Sequence, residues 1–239
     1  MSRAIVISEG SGDVAALREI FTRLFALRVR QDAPRPFGPA APLMSEDGAR
    51  IVYLVNGKDK RRARDSARAT LNEFAVSSTY DRLGLVFDPD GHEDHEWRHW
   101  CQHVLQGNVW DEAELIWTIH HADEEIPFVP VPWDAGPSFD ELDPGLRNLE
   151  RVALGIAQDA IPDDATLVDR LLGIVRDSGR KTTWKTAFRL LHAVRKPAVE
   201  VGIMAQLFGQ DKDTQTSVAR LLKSTLLWRR LHYLAGEPA

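Results

Sequence analysis

Cysteine is almost missing from this chain: Cys101 stands alone among 239 residues. A lone thiol excludes any intramolecular disulfide and fits a reducing compartment, so a cytoplasmic location is expected. Long apolar runs are missing as well. No run of about 18 apolar residues occurs, and the start, MSRAIVISEG, has no apolar h-region. Neither a membrane span nor a signal peptide is therefore expected. An excess of basic charge is also absent: Lys and Arg number 30 against 35 Asp and Glu, a formal net charge of −5. That excludes a globally basic footprint for nucleic acid and leaves room only for a local patch. No repeat at a fixed period is visible, which excludes a solenoid.

What is present reads as two textures. Hydrophobic residues make up 44% of the chain and charged ones 27%, enough for a globular protein with a substantial core. Residues 4–7 (AIVI), 51–55 (IVYLV) and 83–87 (LGLVF) are short apolar runs bounded by turn formers, which predicts buried strands. Over 13–27, Val14, Leu17, Ile20, Phe21, Leu24 and Phe25 fall at three- and four-residue steps. A helix with one apolar face is expected there, with Asp13 as its N-cap. Residues 32–50 hold Pro34, Pro36, Pro39 and Pro42 and predict a loop. Helices are expected over 60–75 and 93–105, and further short strands over 115–120 and 126–133. Pro127, Pro130 and Pro132 make the last of these an edge or merely extended segment. From about 144 onward, the stretches 146–160, 165–177, 184–195, 198–209 and 214–235 carry only helical periodicity. The expectation is an α/β fold over 1–140, a mostly parallel sheet flanked by helices, followed by an all-helical portion over 141–239.

Each of the first three strands hands the chain to a polar loop. The first ends at Glu9-Gly10 in S-E-G-S-G-D, the second at Asn56-Gly57, the third at Asp88-Pro89-Asp90-Gly91. In an open parallel sheet, ligands gather beyond the carboxyl ends of the strands. If these strands are neighbours, Glu9, Asp88 and Asp90 meet at one rim. Acids packed together repel unless something positive neutralises them. A hard divalent cation does so, and Mg²⁺ suits a few carboxylates plus water and phosphate oxygens. Singly, each loop is also an ordinary turn, because Asp, Pro and Gly are turn formers. The order of the three carries the signal.

That order resembles the TOPRIM domain of topoisomerases, primases, recombination mediators and OLD-type nucleases. The family pattern is a strand and E-G-x-x-D, a strand and a glycine-bearing loop, then a strand and D-x-D. Glu9, Gly10 and Asp13 match the first motif, Asn56 and Gly57 the second, Asp88 and Asp90 the third, and the resemblance spans about residues 3–135. It implies a TOPRIM-like, Rossmann-like fold and a metal-dependent step on a phosphodiester. By it, Glu9 is a ligand or acid/base group, Asp88 and Asp90 hold Mg²⁺ or Mn²⁺, and Asp13 joins a second ion. Some nuclease members add a lysine and an acid beyond D-x-D, for which Lys185 and Glu150 stand here. Topoisomerases need a nucleophilic tyrosine from a further domain, and only Tyr53, Tyr80 and Tyr233 are present. The resemblance is thus nearest to the OLD-type nucleases, and it implies a Mg²⁺-dependent hydrolase of DNA or RNA in genome defence or repair, for which a partner such as an ATPase would be the expected control. One alternative is a non-catalytic TOPRIM-like module that binds nucleic acid or a partner protein. Another is a haloacid-dehalogenase-type phosphatase, whose D-x-D-G spelling V-F-D-P-D-G shares, with Asp88 as nucleophile and Asp90 as acid/base. In that family the motif follows the first strand; here it follows the third, precedes His92, and leaves Glu9-Gly10 unexplained.

The stretch after Asn56-Gly57 is basic: Lys58, Lys60, Arg61, Arg62, Arg64 and Arg68. A charge run is usually a solvated face. Next to the carboxylate loops it is also a patch for a nucleic-acid backbone, since phosphate contacts supply most non-specific affinity. Asn56, Gly57, Lys58, Lys60, Arg61, Arg62 and Arg64 are the expected nucleic-acid contacts. His95 and His99, four apart, share a helical face that would suit Zn²⁺, but no matching pair lies elsewhere and a structural role is expected. The seven tryptophans are expected in the core or between the two portions. The last helix has a wide apolar stripe, fit either to dock on the sheet or to form a homodimer.

Overall fold

The computed structural model describes residues 1–35, 41–77, 80–89, 94–105, 109–112, 115–121, 124–134, 148–195, 200–210 and 212–237. Its strands are β1 (Ser2–Ser8), β2 (Arg28–Val29), β3 (Leu43–Met44), β4 (Arg50–Asn56), β5 (Arg82–Phe87), β6 (Val109–Glu112), β7 (Trp117–His121) and β8 (Glu124–Pro132). They form one sheet in the order β2-β3-β4-β1-β5-β8-β7-β6. The four central strands, β4-β1-β5-β8, are parallel, and the strands beyond them on both sides pair antiparallel. Helices α1 (Ser11–Arg23), α2 (Lys60–Ser77) and α3 (Asp94–Val104) follow β1, β4 and β5. The helical portion comprises α4 (Leu149–Ala160), α5 (Pro162–Asp177), α6 (Trp184–Arg195), α7 (Glu200–Ala205) with a π-helical turn at Gln206–Gln210, α8 (Lys212–Leu222) and α9 (Leu226–Leu234). The architecture is α/β and Rossmann-like with a helical C-terminal part.

The central strands are continuously apolar because both sheet faces are covered. Ala4 and Val6 of β1 face α1 and the helical portion; Ile5 and Ile7 face α2 and α3. The first of these clusters is continuous across residue 140. It joins Ala16, Leu17 and Phe21 of α1 to Val152, Ile156, Leu207 and Leu231. The chain end returns to the start of the parallel strands: Arg50 pairs with Glu237, and Arg82 donates to the Tyr233 carbonyl with its guanidinium 4.4 Å from that ring's centroid. The terminal helix thus docks on the sheet. No helix among the described residues is long and apolar enough to cross a membrane.

Four sequence expectations are corrected. The segment 126–133 is no edge: β8 lies between β5 and β7. Trp133 N–H donates to the Phe87 carbonyl, so odd-numbered residues of β8 aim their nitrogens at β5 and even-numbered ones aim at β7. Yet β7 begins at Trp117, opposite Phe128. Pro130 and Pro132 therefore aim nitrogens without hydrogens where β7 has not begun, and Pro127 precedes the β5 pairing, which starts at Phe128. No ladder donor is lost. Second, 32–50 is not all loop, since β3 lies within it and pairs with β2 and β4. Third, 214–235 breaks into α8 and α9, where the Thr225 side chain accepts from Trp228 N–H and caps α9. Fourth, α1 starts at Ser11 with Gly10 as N-cap, which puts Asp13 in its first turn.

Candidate functional site

β1 is the centre of the site because the chain crosses it. From β1 it passes through α1 to β4 on one side, then through α2 to β5 on the other. Such a reversal opens a crevice at the carboxyl ends of the strands. Ser8 is level with Asn56 on β4 and with Val86 on β5, so Glu9, Gly57 and Asp88 leave the sheet at one rim. The first turns of α1 and α2 lie at the same rim, directly after the strands they follow.

Asp88 is the meeting point. Its Oδ1 accepts from Leu149 N–H at 2.9 Å, which ties the end of β5 to the first residue of α4. Its carboxyl is pushed up to about 9, first by burial, then by the negative charges of Asp13, Glu150 and Glu9, against the lowering effect of the Leu149 bond. Three other carboxylates, from two other stretches of the chain, therefore act on Asp88. Glu150 reaches the rim because it stands in the first turn of α4, whose N-cap Asn148 accepts from Arg151 N–H. Helix N-termini favour negative charge, which offsets part of the repulsion.

Asp13 is engaged within the protein. One oxygen accepts from the Trp133 indole N–H at 2.6 Å and the other from Gly10 N–H at 2.8 Å. Burial raises its carboxyl to about 6, and those two donors hold it down. Asp13 therefore caps the Gly10 corner and supplies charge, and neither oxygen is presented bare to an ion. Among the described residues, no three His, Cys, Asp or Glu side chains stand together as a metal-binding group. Asp90, His92 and Glu93 lie outside the described residues, as does the side chain of His95.

The basic stretch splits. Lys60 turns to the rim, donating to the Asp88 carbonyl at 3.1 Å, with its ammonium 5.4 Å from the Trp100 ring centroid. Lys58 and Arg61 are exposed. Arg62 pairs with Asp59 and Arg64 with Asp65, so two of the six basic side chains of the patch are already countered. Lys58 holds a positive φ of 70°, and Asn56 Oδ1 accepts from its N–H, which closes the turn. Gly57 is there for packing: a Cβ would lie 2.5 Å from the Ala63 Cα. Lys185 is exposed on α6. His99 is exposed, while Cys101, on the same helix, is buried on its core-facing side.

Three tryptophans escaped the sequence reading as contributors to the site. Trp133, which holds Asp13, lies 120 residues from it, and no local pattern announces such a pair. Trp97 and Trp100 had a signal, a three-residue spacing just after D-P-D-G, but tryptophan in a helix reads first as core.

No family model matches the chain, and no curated protein matches it. Among solved structures, it is similar to the crystal structure of a hypothetical protein, PH0156, from Pyrococcus horikoshii OT3. The two share 17% identity and a TM-score of 0.76, over 98% of this chain and 99% of that one. The likeness is one of fold, and it extends over the helical portion as well as the sheet.

Proposed function

We propose that the protein is a Mg²⁺- or Mn²⁺-dependent nuclease of the TOPRIM type, hydrolysing phosphodiester bonds of DNA or RNA. One observation carries the reading: Asp88 sits part-buried at the carboxyl edge of the parallel strands, its carboxyl pushed to about 9 by loss of water and by Asp13, Glu150 and Glu9. A rim built with that much uncompensated acid is stable only when protonated or when a cation is present.

The donor set fits a hard ion that needs few protein ligands. Mg²⁺ commonly takes one or two carboxylates and fills its shell with water and phosphate oxygens, so a ready three-ligand group is not required. Glu9 and the second oxygen of Asp88 are the ligands on this reading, with Asp90 from the D-x-D motif. Bound there, the ion would supply charge neutralisation and polarise the phosphodiester. The chain's own groups do the rest. Lys60, beside the Asp88 carbonyl, holds a phosphate of the substrate at the rim. Lys58, in the turn before α2, and Arg61, in its first turn, extend that hold. Glu150, at the mouth of α4, is placed to take a proton from the attacking water.

Labelled DNA and RNA, incubated with the purified chain in Mg²⁺ or Mn²⁺, test this. Cleavage is expected, and Asp88→Asn or Glu9→Gln should lower it at least ~100-fold while the circular dichroism spectrum is unchanged. Wild-type protein that binds nucleic acid but never cuts it would leave the binding-module alternative. Equal cleavage by Asp88→Asn would remove the metal role assigned to Asp88.

A further inference from the structure

At the rim lies a cavity of about 420 Å³ whose apolar walls are Phe87, Pro89, Trp97 and Trp100, with Lys60, Asp88, Glu96 and His99 as its polar lining. The Phe87 centroid is 5.8 Å from that of Trp97 and 5.1 Å from that of Trp100. Trp97 is itself backed by Trp117, the two rings stacked within 10° at 6.2 Å, so the wall is rigid. Trp100 is only half-buried and Phe87 passes directly into Asp88. The pocket therefore opens where the proposed phosphate site lies, and Lys60 stands between the two, touching the Asp88 carbonyl on one side and Trp100 on the other.

We propose that this pocket takes one unpaired nucleobase of the strand whose phosphate lies at Lys60, which makes the substrate single-stranded or unpaired nucleic acid. The inference rests on the nuclease reading for the phosphate and on the pocket's own chemistry for the base. A flat aromatic ligand is what indole and phenyl walls select, because stacking is sequence-tolerant and every base has a π-face. An aliphatic ligand would gain nothing from a neighbouring ammonium, whereas a nucleotide carries its anion within one residue's length of its ring. A base inside a duplex is stacked on both sides and paired at its edge, so it reaches such a pocket only by leaving the helix. His99 and Glu96, exposed on the α3 side of the opening, can meet the polar edge of the base.

The test is fluorescence anisotropy of short labelled oligonucleotides, deoxy and ribo, in EDTA so that cleavage is silent. Single strands should bind at least ~10-fold tighter than a blunt duplex of the same sequence, and Trp100→Ala should cost single-strand affinity about 10-fold. Trp100→Phe should keep most of it. In the wild type, an abasic site moved along the oligonucleotide should reproduce the loss at one position, and that position should be silent in Trp100→Ala. Competition by a nucleoside monophosphate shows whether the base and its own phosphate suffice. Equal affinity for duplex and single strand, or no effect of Trp100→Ala, overturns the proposal. If Trp100→Ala fails to fold, the abasic series decides, and insensitivity at every position overturns it. The two readings separate cleanly. Metal-dependent cleavage with an indifferent Trp100 keeps the nuclease and discards the pocket. Base-dependent binding without cleavage keeps the pocket and discards the nuclease.

Discussion

A carboxyl group part-buried among other carboxyl groups either keeps its proton or shares a cation, and Asp88 is in that position. Unfolded, it ionises near 3.8; folded, near 9. Below the lower value both states hold the proton and no penalty exists. Between the two values only the folded chain holds it, so stability falls as pH rises, by up to about 1.4 kcal/mol per pH unit. Asp13, raised to about 6, steepens the fall at the acid end. Asp88→Asn keeps an acceptor for Leu149 N–H and removes the charge. Thermal melts in EDTA should then show the variant more stable than wild type near about pH 8 and equal to it near about pH 4, with Mg²⁺ narrowing the gap at high pH. A wild-type stability that stays flat across this range refutes the raised carboxyl. Glu9, Asp88 and Glu150 could be named from sequence because each adjoins an element boundary. The fate of Asp13 could not, because its partner Trp133 arrives from the end of β8.

Elements were legible wherever one face or both faces had to be apolar. The three motif strands, α2 and most of the later helices follow directly from periodicity. β8 did not, since its prolines are harmless only given where β7 begins and where β5 pairing starts. The docking of α9 was one of two roles its apolar stripe left open, and it depends on a close approach. A Cβ on Gly84 of β5 would lie 2.7 Å from Leu234 Cδ1, so this strand admits α9 only where a side chain is missing. Gly84→Ala should cost about 1–3 kcal/mol by overpacking. Leu234→Ala, at a fully buried position, should cost about 2–5 kcal/mol. The double variant should be less destabilised than the sum by at least about 0.5 kcal/mol, read from urea unfolding. Strict additivity would mean that strand and helix do not press on each other there.

At the scale of the molecule, the helical portion completes one face of the sheet. Ala4, Val6, Val129 and Val131 lie in the same apolar cluster as Val152, Met204, Phe208 and Leu231. A chain cut after residue 140 would expose that whole face of the sheet and most of α1, an apolar patch that a stable monomer does not carry. The full chain should therefore melt in one cooperative transition, and the 1–140 fragment should show none and should aggregate. A fragment that melts cooperatively on its own would establish two independent units. The likeness to the archaeal structure over 98% of this chain is in keeping with a single shared architecture.

The sequence by itself determined the alternation of strand and helix, the change of texture near residue 144, and the polar loops at three strand ends, two of them acid-bearing. Those are local properties, set by which residues can be apolar on one side and which can turn. Only the tertiary structure decided that the three loops share a rim, because parallel neighbours come from crossovers and not from adjacency in the chain. It alone decided that Asp13 is capped by an indole, that Asp88 is held by the first turn of a helix 61 residues away, and that two tryptophans open a pocket beside it. The reason is the same in each case. Desolvation and charge repulsion depend on what surrounds a group in space, and a group's neighbours along the chain do not report it.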